Sequence, residues 1–251
     1  EWDIWDGFLQ GMTATAMNRD GLQNTFAIEI PGGEHVVINS STAPIIYNKG
    51  GSILRQVKGY IGEENFQNGL RHYLKLHEYQ CASSSHLWEA LEEIAQKPVN
   101  RLMQSWIEQP GFPRVDVGCD GGNLFLKQKR FTYLPNDSSQ SWLIPISIRC
   151  FASDGTQEEI SILMENQEMT VSISPDVTSY KVNHEQSGFY RVSYTDQKNY
   201  HQLGEKVSSG ELSRADRWGL QNDFYSFVKC SEIPFDDYLE MLTFYDSERA
   251  A

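Results

Sequence analysis

The sequence predicts an α+β protein of several domains, with a helical unit followed by a β-sandwich and then by further helices. Apolar residues recur at spacings of three and four up to about residue 110, which is typical of amphipathic helices. From about residue 112 to 195 the spacing changes to two, which is typical of strands, and beyond about residue 197 the helical spacing returns. A chain of 251 residues has room for one large domain or for two to three smaller ones.

An opening helix is predicted from an apolar stripe that ends near Asp20-Gly21. Pro31-Gly32-Gly33 and Pro44 then indicate a loop-like stretch, because proline and glycine interrupt regular structure. The stripe consists of Trp2, Trp5, Leu9, Met12 and Ala16.

Four amphipathic helices are predicted after this stretch. The apolar positions at residues 53–61 mark the first and those at 66–74 the second. Ser85 is placed to cap the third helix, and Pro98 suits the first turn of the fourth. Pro110-Gly111-Phe112-Pro113 then ends the helical unit.

The middle of the chain is predicted to form a small β-sandwich. Seven short runs alternate with turn signals such as Asp120-Gly121-Gly122, and no helical pattern lies between them. Pro145 falls inside one run, which indicates an edge or a bulge there. The predicted strands are Arg114–Val117, Asn123–Arg130, Leu143–Phe151, Glu159–Leu163, Met169–Ser174, Tyr180–Asn183 and Phe189–Tyr194.

The last part of the chain is predicted to be helical. Ser213 followed by Asp216 resembles a capping box with aspartate in place of glutamate, and a final helix is expected through Tyr238 and Leu242. One or two helices cannot bury their own apolar faces. This part is therefore expected to be the opening of a larger helical domain.

The composition excludes several classes of partner. Lys and Arg number 21 against 34 Asp and Glu, a net charge of −13. A nucleic-acid partner or an anionic membrane surface requires a basic face, so neither is expected. No apolar run approaches the ~20 residues of a membrane span, so no membrane partner is expected for this segment.

The four cysteines are scattered, at positions 81, 119, 150 and 230. Without a C-x-x-C pair, neither a zinc ribbon nor a thioredoxin-type redox site has a basis. Scattered cysteines and the absence of a visible signal at Glu1–Asp6 favour a cytoplasmic location, although a missing amino terminus would hide a signal or an anchor.

The histidines do not form a metal-binding pattern. His72 and His77 are five residues apart, about 140° around a helix, and so do not share a face. His86 and Glu89 have no second histidine at the offset of a zinc peptidase motif. Phosphate-binding glycine loops and the G-x-S-x-G elbow are also missing. Each of the six histidines, at positions 35, 72, 77, 86, 184 and 201, is interpreted as an ordinary surface or core residue.

One segment carries a distinctive combination of residues. Tyr47 and Lys49 lead through Gly50-Gly51 into an amphipathic helix, and the glycines allow a ligand or another backbone to come close. From the residues alone, an aromatic side chain packed at a helix start is the favoured interpretation.

The segment Tyr47–Arg55 closely resembles the Y-x-K-G stretch of the zinc aminopeptidases of the aminopeptidase N type, in the gluzincin family. Further matches follow in the order that the family has them and cover nearly the whole chain. They are Tyr60–Phe66, Gly69-Leu70, Tyr73-Leu74, Leu87–Leu91, Trp106–Pro113, Gly188–Val192 and Asp216–Asp223.

The resemblance implies both a fold and an activity. Residues 1–110 would be the C-terminal helical part of a thermolysin-like catalytic domain, residues 111–196 a β-sandwich and residues 197–251 the beginning of a C-terminal helical domain. The family removes N-terminal residues from peptides with one zinc ion, whose bound water attacks the first peptide bond. Tyr47 corresponds to the family's catalytic tyrosine, a donor to the oxygen that becomes negative. A single donor of this kind supplies roughly 3–4 kcal/mol.

Parts of the family pattern are missing from the sequence. The zinc-binding H-E-x-x-H motif, the third zinc ligand and the G-x-M-E-N stretch that grips the substrate's amino group do not occur in it, and Thr25-Phe26-Ala27-Ile28 replaces the usual T-H-P-I. In the family the three zinc ligands and the G-x-M-E-N stretch lie upstream of the position of Glu1. The resemblance therefore implies an internal fragment, inactive alone, whose partners are peptide substrates and the rest of its parent chain.

Two alternatives remain open. The first is that the chain is a non-catalytic relative that serves as a peptide- or protein-interaction module. The second is that it is an unrelated protein of helices and strands, for which every match would have to be accidental. The preferred N-terminal residue and the oligomeric state are not readable from the sequence.

Overall fold

The computed structural model describes residues 4–30 and 37–248 of the chain. Trp2 of the opening stripe, the predicted Pro31-Gly32-Gly33 turn, His35 and the final Ala251 lie outside the described residues. The helices are α1 (Ile4–Gly7), α2 (Ala14–Asp20), α3 (Gly50–Ile61), α4 (Glu63–Leu76), α5 (Ser84–Ala95), α6 (Val99–Ile107), α7 (Gln197–Ser208), α8 (Arg214–Lys229) and α9 (Phe235–Leu242), with π-helical segments at Phe8–Thr13 and Pro44–Lys49.

The opening helix is interrupted by a π-helical segment. Leu9 and Ala16 of the predicted stripe are buried, but Trp5 and Met12 are exposed, so the stripe is wrong at these two positions. The i→i+5 bonding of Phe8–Thr13 widens the helix and changes which residues face the core. Apolar spacing alone does not reveal such a segment.

Two predicted helix starts and one predicted loop position require correction. Ser83 rather than Ser85 caps α5, and its backbone N–H donates to Nδ1 of His86 at 3.3 Å. Pro98 lies just before α6 rather than within its first turn. Pro44 opens the second π-helical segment instead of belonging to a loop, because a missing N–H costs nothing at the start of a helix.

Within the described residues, seven strands form two sheets in the predicted region. The four-stranded sheet has the order β5-β2-β1-β7, with β1 and β2 antiparallel and β1 and β7 parallel, and the three-stranded sheet has the order β4-β3-β6. Alternating apolar side chains from both sheets point into a common core. The strands are β1 (Pro113–Asp120), β2 (Asn123–Arg130), β3 (Ile144–Ala152), β4 (Gln157–Met164), β5 (Glu168–Ser172), β6 (Val177–Val182) and β7 (Arg191–Tyr194).

Pro145 occupies a local edge, as its missing N–H requires. Its strand pairs with β4 along nearly its full length, but pairs with β6 only from Ile148 to Ala152. The bulge lies at the other end of the strand, at Phe151/Ala152. The expected edge is therefore present, and the bulge is not at the proline.

The helical unit packs on the sandwich through aromatic side chains. Trp106 of α6 is fully buried, lies against Trp142 and Phe189 at ring-centroid distances of 6.2 and 6.3 Å, and donates to the Leu143 carbonyl at 2.8 Å. One continuous core runs from α2 to α8. The fold is thus mixed, with helices and two sheets sharing a core, while the division into domains at residues 110/111 and 196/197 stays a prediction.

The predicted capping box of α8 is half right. The Ser213 hydroxyl accepts from the Asp216 N–H at 3.1 Å, as expected of an N-cap. The Asp216 side chain does not return to the cap but binds the loop after β6.

Among the described helices, none is long and apolar enough to cross a membrane. All four cysteines are unpaired, and Cys150 is buried within the sandwich.

Candidate functional site

Tyr47 is presented to solvent by the π-helical turn Pro44–Lys49, immediately before α3. Its neighbours Ile45 and Lys49 are fully buried, whereas 58% of Tyr47 is exposed. The packed aromatic side chain that the residues alone favour is therefore wrong. The turn is anchored by inward side chains and holds the phenol outward, and π-helical turns of this kind occur often at functional sites.

The phenol is available for an incoming ligand. No described residue lies within hydrogen-bonding distance of the Tyr47 hydroxyl. A Cβ atom on Gly50 would meet no described heavy atom within 4 Å, and one on Gly51 would meet only the Phe8 ring, at 3.4 Å. The space beside the two glycines is thus open rather than filled by another backbone.

A buried ion pair lies directly beneath the turn. Lys49 Nζ is 2.9 Å from Asp20 Oδ2, and both side chains are 0% exposed. The ammonium also donates to the Gly111 carbonyl at 2.9 Å, and Asp20 Oδ1 accepts from the Gly111 N–H at 3.1 Å. Burial lowers the pKa of Lys49, and the adjacent Asp20 carboxylate offsets part of that shift.

Three further hydrogen bonds fix the surroundings of the ion pair. The Thr25 hydroxyl donates to Asp20 Oδ1, so the threonine of the altered T-F-A-I stretch keeps a place in this network. The Ser52 hydroxyl donates to the Asn48 carbonyl at 2.8 Å and shares a hydrogen bond of 2.9 Å with the Thr13 hydroxyl. The turn is thereby joined to both halves of the opening helix.

The opposite face of α3 is held by the sandwich. The Arg55 guanidinium donates to the carbonyls of Gln186 and, at 2.8 Å, of Glu185, while Phe189 N–H donates to Gln56 Oε1 at 2.8 Å. The helix that follows Tyr47 is therefore bound to the segment between β6 and β7.

That segment has an unusual backbone. Asn183, Glu185 and Gln186 all have left-handed conformations, with φ of 58°, 58° and 47°. The Asn183 side chain supports them by accepting from Gly188 N–H at 2.8 Å and donating to the Tyr190 carbonyl at 3.1 Å. Such a run persists only where the surroundings over-determine it.

Asp216 binds the same segment from the side of α8. Its Oδ1 accepts from Glu185 N–H at 2.8 Å and lies 3.3 Å from Lys181 Nζ, and its Oδ2 accepts from His184 Nδ1 at 2.7 Å. Burial alone would raise the pKa of this carboxyl, but the Lys181 charge and the His184 contact hold it below its ordinary value.

The side chains of His184, Glu185 and Asp216 are close enough to consider as metal ligands, since their ligand atoms lie within 4.8 Å of one another. A cation here would compete with the Lys181 ammonium, and both Asp216 oxygens are already used in hydrogen bonds. The cluster therefore fits a structural network. Among residues 4–30 and 37–248, this cluster does not fit the zinc site that the family resemblance implies.

Comparison with known proteins identifies the family. Residues 1–106, which include Tyr47 and Lys49, match the peptidase family M1 domain, and residues 179–250 match the ERAP1-like C-terminal domain. The chain belongs to peptidase family M1. The resemblance seen in the Tyr47 segment is thus confirmed.

Relatives within the M1 family match almost the whole chain. It is 33% identical over 238 residues to the probable aminopeptidase 2 of Sulfurisphaera tokodaii and 31% identical over 248 residues to the leucyl aminopeptidase of Saccharolobus solfataricus. It is also 35% identical over 243 residues to the Tricorn protease-interacting factor F2 of Thermoplasma volcanium. These matches cover 95–99% of the chain but only 29–30% of each relative.

The sequence points to Tyr47 but not to the residues that surround it. It indicates Asp20 only as a helix end and Lys49 only as a lysine that leads, with the tyrosine, into α3. Their pairing joins positions 29 residues apart through a third residue, Gly111, and no local pattern reports such a contact. The lysine two positions after the tyrosine is the local signal that the sequence offers.

Proposed function

We propose that this chain forms part of an M1 aminopeptidase, in which Tyr47 stabilises the tetrahedral intermediate of peptide hydrolysis. The observation that supports this most is the exposed phenol, which lacks a partner among the described residues although its turn is anchored by buried side chains. A structural tyrosine would pack its ring or bind its hydroxyl.

The chemistry proposed for Tyr47 is electrostatic. When a nucleophile adds to a peptide carbonyl, negative charge develops on the carbonyl oxygen, and a donor already aimed at that oxygen stabilises the transition state more than the substrate. The phenol donates a hydrogen bond to this oxygen and keeps its proton. The family implies one zinc ion, and no cluster among the described residues fits as its ligands, so the tyrosine step is the part proposed for these residues.

The substrates proposed are peptides with a free amino terminus. The relatives named as aminopeptidases and the M1 domain match support this substrate class. No residue preference follows from the described residues.

The test is Tyr47→Phe in the active enzyme that contains this sequence. The change removes one hydroxyl and keeps the ring, so we expect kcat to fall about 100-fold or more with little change in KM. Tyr79→Phe is the matched control, because Tyr79 is 99% exposed and belongs to no site, and its kcat should match wild type. Turnover of Tyr47→Phe close to wild type contradicts the proposal.

The alternative is a non-catalytic module that binds peptides or proteins. It is supported by the name of one relative, the Tricorn protease-interacting factor F2 of Thermoplasma volcanium, which refers to a protein partner of that relative. The intact mass of the protein from its natural source distinguishes the two. A mass well above 28.7 kDa supports the enzyme, whereas a mass equal to that of the sequence supports the module.

A further inference from the structure

The Asp20–Lys49 ion pair holds both polar backbone groups of a single residue. The Lys49 ammonium binds the Gly111 carbonyl at 2.9 Å, and the Asp20 carboxylate binds the Gly111 N–H at 3.1 Å. With the 2.9 Å contact between Lys49 Nζ and Asp20 Oδ2, the three residues form a closed, fully buried arrangement. The position of the ion pair relative to Gly111 is therefore fixed by one contact to the carbonyl and one to the N–H of that residue.

Gly111 is in turn fixed by the sandwich. It lies two residues before β1, and the neighbouring Phe112 carbonyl accepts from Phe131 N–H at 2.9 Å. Its φ is +85°, and a Cβ at this position would lie 2.6 Å from Arg130 Nε. Only glycine fits here without a shift, so the peptide that the ion pair binds has little freedom to move.

Because Lys49 is held in place, the turn that carries Tyr47 is held in place with it. The two residues share the Pro44–Lys49 turn and lie two positions apart, one pointing inward and one outward. The Tyr47 hydroxyl has no bond of its own to a described residue, so its place is set by the rotation of the turn. The buried lysine and Ile45 determine that rotation.

Stability alone does not account for a charged pair at this position. Replacing a buried ion pair by apolar side chains of similar volume is often neutral or stabilising, because desolvation opposes the attraction. A directional contact from Lys49 to Gly111 provides what an apolar contact does not, namely a defined distance and angle between the turn and the sandwich.

We propose that Lys49, held by Asp20 and Gly111, is the positioning residue of Tyr47 and makes the sandwich junction part of the catalytic arrangement. The inference rests on the proposed function of Tyr47. Lys49 acts through the tyrosine and does not touch the substrate.

A double-mutant cycle in the active enzyme tests the inference. We expect Lys49→Met to lower kcat about 10-fold or more, with KM changed less than threefold, because a displaced phenol loses the transition-state bond and leaves substrate binding intact. In the Tyr47→Phe background, Lys49→Met should cause no further loss of kcat. A purely structural role would lower kcat by the same factor in both backgrounds.

Arg191→Met is the matched control. Arg191 is also buried and also paired with an aspartate, Asp223, at 2.8 Å, but it lies on β7 of the sandwich and does not belong to the network around Tyr47. It should lower the melting temperature as Lys49→Met does and leave kcat within twofold. If Lys49→Met does not fold, Asp20→Asn combined with Lys49→Met removes both charges and is measured instead, with the same expected pattern.

The outcomes are distinguishable. The positioning role is overturned by an equal loss of kcat in Lys49→Met and Arg191→Met, by an unchanged kcat in Lys49→Met, or by additive losses in the cycle. In each of these cases a slow Tyr47→Phe variant leaves the proposed function standing. A Tyr47→Phe variant with normal turnover overturns both.

Discussion

Replacing Gly111 by alanine tests how firmly the sandwich junction holds the site. The alanine must adopt a φ near +85°, which costs roughly 1–2 kcal/mol and is partly offset by about 0.4–1 kcal/mol of lost chain entropy in the unfolded state. Its Cβ also requires Arg130 to move, since Nε lies 2.6 Å away. Arg130 would then lose its 3.0 Å hydrogen bond to Gln140, which contributes about 1 kcal/mol. The expected total is about 2 kcal/mol.

Gly155→Ala separates the two contributions. Gly155 has nearly the same φ, +86°, but a Cβ there meets no described heavy atom within 4 Å. Its alanine variant should lose about 1 kcal/mol, which is the backbone contribution alone.

The assay is urea unfolding of each variant, followed by circular dichroism and compared as the free energy of unfolding. Arg130→Ala provides a second control, because in that background the crowding is gone and Gly111→Ala should cost no more than Gly155→Ala. Equal losses for the two glycine variants in the wild-type background would refute the close packing of Gly111 against Arg130.

Three further predictions concern the rest of the fold. Trp106→Ala should lower the free energy of unfolding by about 3–5 kcal/mol in the same assay, because it leaves a cavity in the core between the helices and the sandwich and an unpaired Leu143 carbonyl. A loss below about 1 kcal/mol would contradict this packing. Ser213→Ala should cost about 1 kcal/mol through loss of the α8 cap, whereas an unchanged value would mean that the cap is dispensable. The folded-state pKa of Asp216 lies below the unfolded value of about 3.9, so its stabilisation is present above that pH and is lost as the pH falls through the folded pKa. Wild type should therefore lose more stability than Asp216→Asn between pH 5 and 3 in urea titrations, and parallel losses would refute the assignment.

The sequence predicted the strands better than the helix details. Apolar residues and turn signals placed the strand Asn123–Arg130 at its observed bounds and the others within a few residues. Asn123–Arg130 alternates most regularly, because it buries one face. The widening of the helix at Phe8–Thr13 depends on a change in backbone hydrogen bonding that an apolar stripe does not reveal. The cap of α5 could have been any of three consecutive serines, and the sequence does not show that Ser83 is the one.

The candidate site could be predicted only in part. Tyr47 was found because a tyrosine, a lysine and two glycines stand in sequence within a known motif. The pairing of Lys49 with Asp20 and Gly111 arises from contacts between distant segments. So do the left-handed conformations of Asn183, Glu185 and Gln186 in the segment that binds α3. Long-range contacts of this type leave no periodic signal in the chain.

The affinity of a tetrahedral phosphinate peptide analogue for wild-type and Tyr47→Phe enzyme tests the central claim most directly. If Tyr47 stabilises the tetrahedral state, the inhibition constant should rise about 100-fold, by the same factor as kcat/KM falls, while the affinity for a planar substrate analogue stays the same. A fall in kcat/KM with an unchanged inhibition constant would contradict the role assigned to Tyr47.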